Sequence, residues 1–308
     1  MGNLKWDLNM VGDLTDKTIL ITGASAGMGY EAARFLSGKG AEVIMACRNR
    51  KKAELALDRI KKENPSARVQ VMKLELSDLD SVRHFADEFR AKIGKLDILI
   101  NNAGLESKNY KESKQGYELT FAVNYLAHFL LTGLLLDLIA NSADGRIVMY
   151  SSNGHAAGDG NFLIGKDRKY HSLKVYGNSK LACLMFAYKL NDELKKQNIP
   201  VKVYGVHPGW ITTELERDHN VGRAYKWFVR QIGMPANLGI RSAVYAACDR
   251  EAKSGDYIVP DGFMTFRGYP KVGKSSKLSH DKELQDNLWN MSEKMSGLSL
   301  EAIMGGMR

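Results

Sequence analysis

Short apolar runs alternate with longer amphipathic stretches along the whole chain. Residues 18–21, 42–46, 69–74, 97–100, 146–150, 201–206 and 256–259 are short and mostly apolar, and read as strands. Between them, apolar positions recur with helical spacing. Helices are expected over 28–38, 51–63, 115–140, 172–197 and 238–248, the second closed by Asn64-Pro65. Ser77 is expected to cap a helix with Val82, Phe85, Phe89 and Ile93 on one stripe. Strand and helix in strict turn call for parallel strands, with crossover helices on both faces of one sheet. No repeat or linker divides the sequence, so 1–308 reads as one α/β domain. Two stretches break the rhythm, 153–171 and 214–235, and such loops build the ligand crevice at the carboxyl ends of strands.

The joins between elements carry the candidate chemistry. Gly23, Gly27 and Gly29, with Ser25, Ala26 and Met28 among them, fall between the first strand and the first helix. Glycines there allow a tight turn and bring backbone N–H groups to a pyrophosphate at the helix N-terminus. The fold is therefore expected to be a Rossmann-type, doubly wound parallel sheet with a dinucleotide at its edge. The second strand runs into Cys47-Arg48 with no acidic residue to take the adenosine ribose. Arg48 offers a guanidinium to a 2′-phosphate instead, so NADP(H) is expected over NAD(H). Asn101-Asn102-Ala103-Gly104 follows the fourth strand; it suits either a backbone beside adenosine or a plain turn.

Tyr176-Gly-Asn-Ser-Lys180 places a phenol and an ammonium one helical turn apart. A free tyrosine titrates near pH ~10, and a neighbouring ammonium favours the phenolate. Such a pair can exchange a proton with a carbonyl or alcohol oxygen. Ser152 ends the fifth strand, where its hydroxyl suits either a substrate carbonyl or a turn. Asn124 is a polar amide in an apolar helix and needs partners there.

Composition narrows the classes. Apolar content of 44% and charged content of 26% fit a globular protein. The net charge of +9 is spread over helix faces such as Lys51-Lys52 and over the 271–308 tail near Lys271, Lys274 and Lys277. No nucleic-acid motif accompanies it, so a nucleic-acid partner is not expected. Three scattered cysteines have neither metal spacing nor a disulfide framework, which suggests a reduced, intracellular, cytoplasmic setting and no metal. No run of ~18 apolar residues spans a membrane. The 214–235 stretch carries Leu215, Tyr225, Trp227 and Phe228, which suit a lid over a lipophilic substrate or an amphipathic helix on the core. Its Arg223, Lys226 and Arg230 leave open peripheral contact with an anionic organelle membrane.

Taken together, TGxxxGxG, NNAG, the helix Asn, the Ser, YxxxK and Pro208-Gly209 occur in the order that resembles the short-chain dehydrogenase/reductase family. The resemblance covers about 15–298. Ala46-Cys47-Arg48-Asn49, the 121–131 segment, Val206-His-Pro-Gly209 with Thr213, and Leu288-Trp289 are similar to its retinol-dehydrogenase-like branch. It implies Tyr176 as proton donor and acceptor, Lys180 as its partner and the hold on the nicotinamide ribose, and Ser152 as the group polarising the carbonyl. Asn124 would hold a water linking Lys180 to solvent. Pro208, Gly209 and Thr213 would cradle the nicotinamide, with Asn49 and Glu75-Leu76 at the adenine side. The implied activity is hydride transfer between NADP(H) and an aldehyde, ketone or alcohol. Many members pair through the helices that would be 115–140 and 172–197 here, so a homo-oligomer is implied; the Trp289 tail would cover such a surface or close the active site. Glu75 stands where the branch commonly has Asp, and Met149 where Asn is frequent. The hydrophobic anchor of many members finds no match, which puts a membrane-bound retinoid role in doubt. A non-catalytic NADP(H) sensor is the alternative, and the intact Ser152, Tyr176 and Lys180 speak against it.

Overall fold

The computed structural model describes residues 5–166, 169–211 and 233–307. Eight strands form one sheet: β1 (Thr18–Thr22), β2 (Glu42–Cys47), β3 (Arg68–Lys73), β4 (Ile98–Asn101), β5 (Arg146–Tyr150), β6 (Lys202–Val206), β7 (Tyr257–Pro260) and β8 (Pro270–Val272). Their order is β3-β2-β1-β4-β5-β6-β7-β8. All pairs are parallel except β7 with β8. Helices α1 (Gly27–Gly38), α2 (Arg50–Glu63), α3 (Leu79–Lys92), α4 (Leu119–Ala140), α5 (Ser172–Lys196), α6 (Arg241–Cys248), α7 (Lys282–Ser296) and α8 (Leu300–Gly305) surround it.

The central strands β1, β4, β5 and β7 are buried at every position because both faces are covered, whereas β3, at the edge, exposes Arg68, Gln70 and Lys73. Successive side chains alternate. Ile19, Ile21, Val43 and Met45 pack with Leu36 of α1, Ile60 of α2 and Val244 of α6. Leu20, Ile44 and Leu99 pack on the other side with Phe85 of α3, Phe129 of α4 and Phe186 of α5. Each such side chain contributes about 1.5–3 kcal/mol on leaving water. The order reverses where β1 lies beside β4, which opens a crevice beyond their carboxyl ends.

Four details depart from the sequence expectations. Asp78, not Ser77, caps α3, accepting from the Asp80 amide; the Ser77 hydroxyl donates to Glu75 Oε1 at 2.7 Å. The long helix starts at Leu119, because the Glu118 carboxylate accepts from the Thr120 and Phe121 amides and fixes the cap there. Residues Ala122–Leu126 of that helix form a π turn, with the Ala127 amide donating to the Ala122 carbonyl. β8 adds a short antiparallel edge after the expected last strand.

By length and composition α4 could cross a membrane, with a mean hydropathy of 1.7 over its most apolar window. That window is 89% buried inside the protein, so α4 is the core helix. The tail resolves into α7 and α8. Trp289 lies edge-on to Phe129 at 5.6 Å and tilted over Phe186 at 6.0 Å, while Leu298 and Leu300 crowd Gly133 of α4. Of the two roles expected for the tail, it takes the first, covering the outer faces of α4 and α5. The part it covers is not open to a second copy.

Candidate active site

The glycine-rich turn leaves β1 and enters α1, and each glycine answers a separate need. Gly23 and Gly27 have φ of 69° and 59°, in the left-handed region. A Cβ on Gly29 would stand 2.6 Å from both the Gly23 carbonyl oxygen and Asn102 Nδ2. Ala26 precedes α1 without a side-chain cap bond, so the first amides of the helix are left for a ligand. Across the crevice the Asn102-Ala103-Gly104 turn follows β4. Asn102 Nδ2 donates to the Thr22 carbonyl at 2.7 Å, and the Asn102 and Ala103 amides donate to the Thr22 hydroxyl at 3.0 and 2.9 Å.

These residues line a cleft of about 650 Å³. Ser25, Met28, Glu75 and Leu76 face it, and at its far end stand Arg48, Asn49 and Lys52. The Arg48 side chain is 72% exposed, with Nε 3.8 Å from Glu75 Oε2. Asn49 has a local duty as well, its side chain capping α2 by accepting from the Lys52 amide at 3.0 Å. The empty space between glycine turn and basic end, with backbone allowed close by glycines, fits a dinucleotide.

A second cleft of about 680 Å³ adjoins the first, and the two share Met28, Asn102, Gly104, Leu105 and Ile211. Ser152, Tyr176, Lys180, Pro208 and Gly209 line it. Lys180 is nearly buried; its Nζ donates to the Tyr150 carbonyl at 3.1 Å and lies 5.7 Å from the centre of the Tyr176 ring. The Ser151 hydroxyl donates to the Lys180 carbonyl at 2.7 Å, fastening α5 to the end of β5. Ser152 Oγ accepts from the Gly154 amide at 3.1 Å. Gly154 fills the gap between the pair: a Cβ there would lie 3.2 Å from Tyr176 Cε1 and 3.5 Å from Ser152 Oγ.

Asn124 sits in the π turn. Its Oδ1 accepts from the Leu105 amide at 2.7 Å, and Nδ2 donates to the Leu105 carbonyl and to Ser179 Oγ, each at 2.9 Å. The side chain therefore clamps the loop after β4. It shares a corner with Lys180, since a Cβ on Gly104 would lie 3.2 Å from Asn124 Oδ1 and 3.3 Å from Lys180 Nζ. Gly209 has φ of 91°, and a Cβ there would meet the Phe266 carbonyl oxygen at 2.6 Å. Thr213, and the 214–232 part of the expected substrate loop, lie outside the described residues.

Several site residues had no role assigned from sequence. Trp210 and Phe266 meet edge to face at 5.0 Å and wall the second cleft with Leu105. His155 accepts from the Ser276 amide through Nε2, so its Nδ1 carries hydrogen and donates to the Ser152 carbonyl at 2.6 Å. Its position three residues beyond Ser152 was the only available signal. His207 is buried, which pushes its pKa down to about 3, and its Nδ1 accepts from the Asn153 amide at 3.4 Å. The Asn153 side chain holds Met264 and Thr265, two non-glycine residues with φ of 47° and 56°. Met149 is fully buried opposite Asn101; Asn101 Nδ2 contacts its sulfur, and Asn101 Oδ1 has no hydrogen-bond partner among the described residues.

Comparison with known proteins shows the family. Residues 17–224 match the family model described as short chain dehydrogenase. Retinol dehydrogenase 12 of Mus musculus is 38% identical over 291 residues, covering 92% of this chain and 88% of that protein. Among solved structures, an uncharacterized protein from Mycobacterium paratuberculosis is 30% identical, with a TM-score of 0.79 over 96% of this chain and 99% of that one. A short chain dehydrogenase from Shigella flexneri, complexed with NADP, is 25% identical, with a TM-score of 0.63 over 79% of this chain and 96% of that one. The chain belongs to the short-chain dehydrogenase family, as an oxidoreductase similar to its retinol dehydrogenases.

Proposed function

We propose that this protein is an NADP(H)-dependent oxidoreductase that interconverts an aldehyde or ketone with the corresponding alcohol on a lipophilic substrate. The observation that carries this reading is the meeting of the two clefts. One holds the glycine turn, the other holds Ser152, Tyr176 and Lys180, and they adjoin at Gly104 and Leu105. The Gly23, Gly27 and Gly29 turn would hold the pyrophosphate, with Ser25, Ala26 and Met28 beside it. Arg48 and Lys52 would meet a 2′-phosphate, and no carboxylate follows β2 to favour a free ribose. The nicotinamide supplies the hydride when bound.

The chain's own groups handle the proton and the oxygen. In the reducing direction the Tyr176 hydroxyl gives its proton to the carbonyl oxygen. The Ser152 hydroxyl donates a hydrogen bond to the same oxygen and aligns it. The phenolate left behind faces the Lys180 ammonium, which the Tyr150 carbonyl holds in place. In the oxidising direction the same groups act in reverse. Trp210, Phe266, Leu105 and Ile211 give the second cleft apolar walls, which support a lipophilic substrate and exclude water from the reacting carbon.

The test is the oxidation of NADPH and NADH, followed by absorbance, with a panel of aliphatic aldehydes, ketones and retinal. Faster turnover with NADPH and with the longer apolar carbonyls is expected. Equal rates with both cofactors would remove the NADP(H) preference, and a preference for small polar carbonyls would remove the lipophilic substrate.

A further inference from the structure

A buried histidine outside the Ser152, Tyr176 and Lys180 set closes a ring of hydrogen bonds around the loop that both clefts share. His128 lies one turn after Asn124 on α4 and is fully buried. Its Nε2 is 2.9 Å from Thr22 Oγ1, and its Nδ1 is 3.0 Å from the Asn124 carbonyl oxygen. Geometry alone fixes where the hydrogens are. A hydroxyl has one hydrogen and two lone pairs. The Asn102 and Ala103 amides donate to Thr22 Oγ1, the former shared with the Ile100 carbonyl, and the Asn124 carbonyl opposite Nδ1 can only accept, so the Thr22 hydrogen goes to His128 Nε2. The ring hydrogen is then on Nδ1, which is what a carbonyl acceptor at Asn124 requires. Burial, aided by the nearby Lys180 charge, lowers the pKa to about 4, so the ring is neutral at neutral pH.

We infer that His128 is a positioning residue for the reaction proposed above, coupling the cofactor-side turn at Asn102-Ala103 to Asn124 and through it to Leu105. The loop 102–105 is pinned at both ends by residues that this one imidazole joins. Thr22 holds its first two amides, and the Asn124 side chain holds both polar backbone groups of Leu105. Gly104, between the pins, lies against Lys180: a Cβ added there would stand 3.3 Å from Nζ. A fully satisfied network of this kind is stiff, and cutting one member loosens its neighbours.

The two arms can be cut separately. In His128→Gln the terminal amide oxygen reaches the Nε2 position and accepts from Thr22, but the donor to Asn124 is lost. In His128→Asn the amide nitrogen stands at the Nδ1 position and donates to Asn124, but nothing reaches Thr22. NADPH dissociation constants and kcat on a carbonyl reduced by the unmodified protein are measured for both. His128→Asn is expected to weaken NADPH about tenfold, and His128→Gln to lower kcat about tenfold with NADPH affinity kept within about threefold, the size of one hydrogen bond. If both constants stay within about threefold in both variants while only the melting temperature falls, the imidazole is merely structural and the inference fails. If the unmodified protein binds no NADPH, the functional reading fails as well. Should a variant not fold, ¹⁵N imidazole shifts of the unmodified protein decide: hydrogen on Nδ1, unchanged from pH 8 to 6, is expected, whereas hydrogen on Nε2 overturns the coupling.

Discussion

Replacing Arg48 by alanine tests the cofactor assignment where it is most specific. Arg48 stands at the basic end of the first cleft, and Lys52 is the other cation lining that end. A charge-assisted hydrogen bond to a 2′-phosphate contributes about 1.5–3 kcal/mol when sheltered. Two observations reduce that figure. The side chain is 72% exposed, so water and salt screen it, and Glu75 Oε2 at 3.8 Å already occupies part of its field. About 1–2 kcal/mol remains, which is about a 5- to 30-fold loss of NADPH affinity. NADH has no 2′-phosphate, so its affinity should change less than about twofold. Titration by intrinsic fluorescence or calorimetry at fixed ionic strength reads both. The salt dependence of NADPH binding should also become shallower in the variant. An equal loss for NADPH and NADH would mean that Arg48 only supports the fold. No loss for either would mean that the 2′-phosphate lies elsewhere.

Gly29→Ala should weaken both cofactors more than tenfold and cost about 1–3 kcal/mol of stability, because the new methyl overlaps the Gly23 carbonyl and Asn102. Cofactor affinities within a factor of two of the unmodified protein would refute that packing. Trp289→Ala should lower the free energy of unfolding by about 3–5 kcal/mol in urea, since it empties a site walled by Phe129 and Phe186; a loss under about 1 kcal/mol would mean that α7 is not docked in solution. Burial works against ionisation of Asp97, but hydrogen bonds from Ser142 and the Thr18 amide, with Lys95 nearby, outweigh it and hold the carboxyl below its ordinary value. The stability this provides is complete above the unfolded value near pH ~4 and is lost as pH falls through the lower folded value. Asp97→Asn should therefore be less stable at neutral pH, with the difference shrinking below about pH 4; a difference that stayed constant to pH 2 would contradict the linkage.

Much of the sheet was readable from the chain because strands covered on both faces are apolar at nearly every position. The residues of β1, β2, β4 and β5 leave little choice of element. The parts that were not readable lacked such a constraint. β8 is three residues long and half exposed at the sheet edge, so no alternation marks it. Ser77 and Asp78 are both capping residue types, and the choice between them depends on Glu75, which takes the Ser77 hydroxyl. The π turn at Asn124 has no composition of its own. In the site, Gly23, Gly27 and Gly29 could be found because glycine is demanded by backbone geometry. Tyr176 and Lys180 could be found because helical spacing brings them together. The Asn124 side chain reaches Leu105, 19 positions away, and Ser179, 55 positions away, and His128 reaches Thr22, 106 positions away; only the fold places these side by side. The Arg48 and Glu75 pair likewise exists because β2 lies beside β3.

In the proposed reaction Tyr176 moves the proton while the rest of the site binds and aligns. The most direct measurement compares Tyr176→Phe with the unmodified protein for NADPH affinity and for single-turnover reduction of a carbonyl substrate. Removing one hydroxyl leaves both clefts intact, so NADPH should bind within about threefold of the unmodified value. Reduction should fall by about 10²–10⁴, the usual contribution of a general acid. Turnover that survives in Tyr176→Phe within a factor of ten would contradict the account, because the proton would then come from another group.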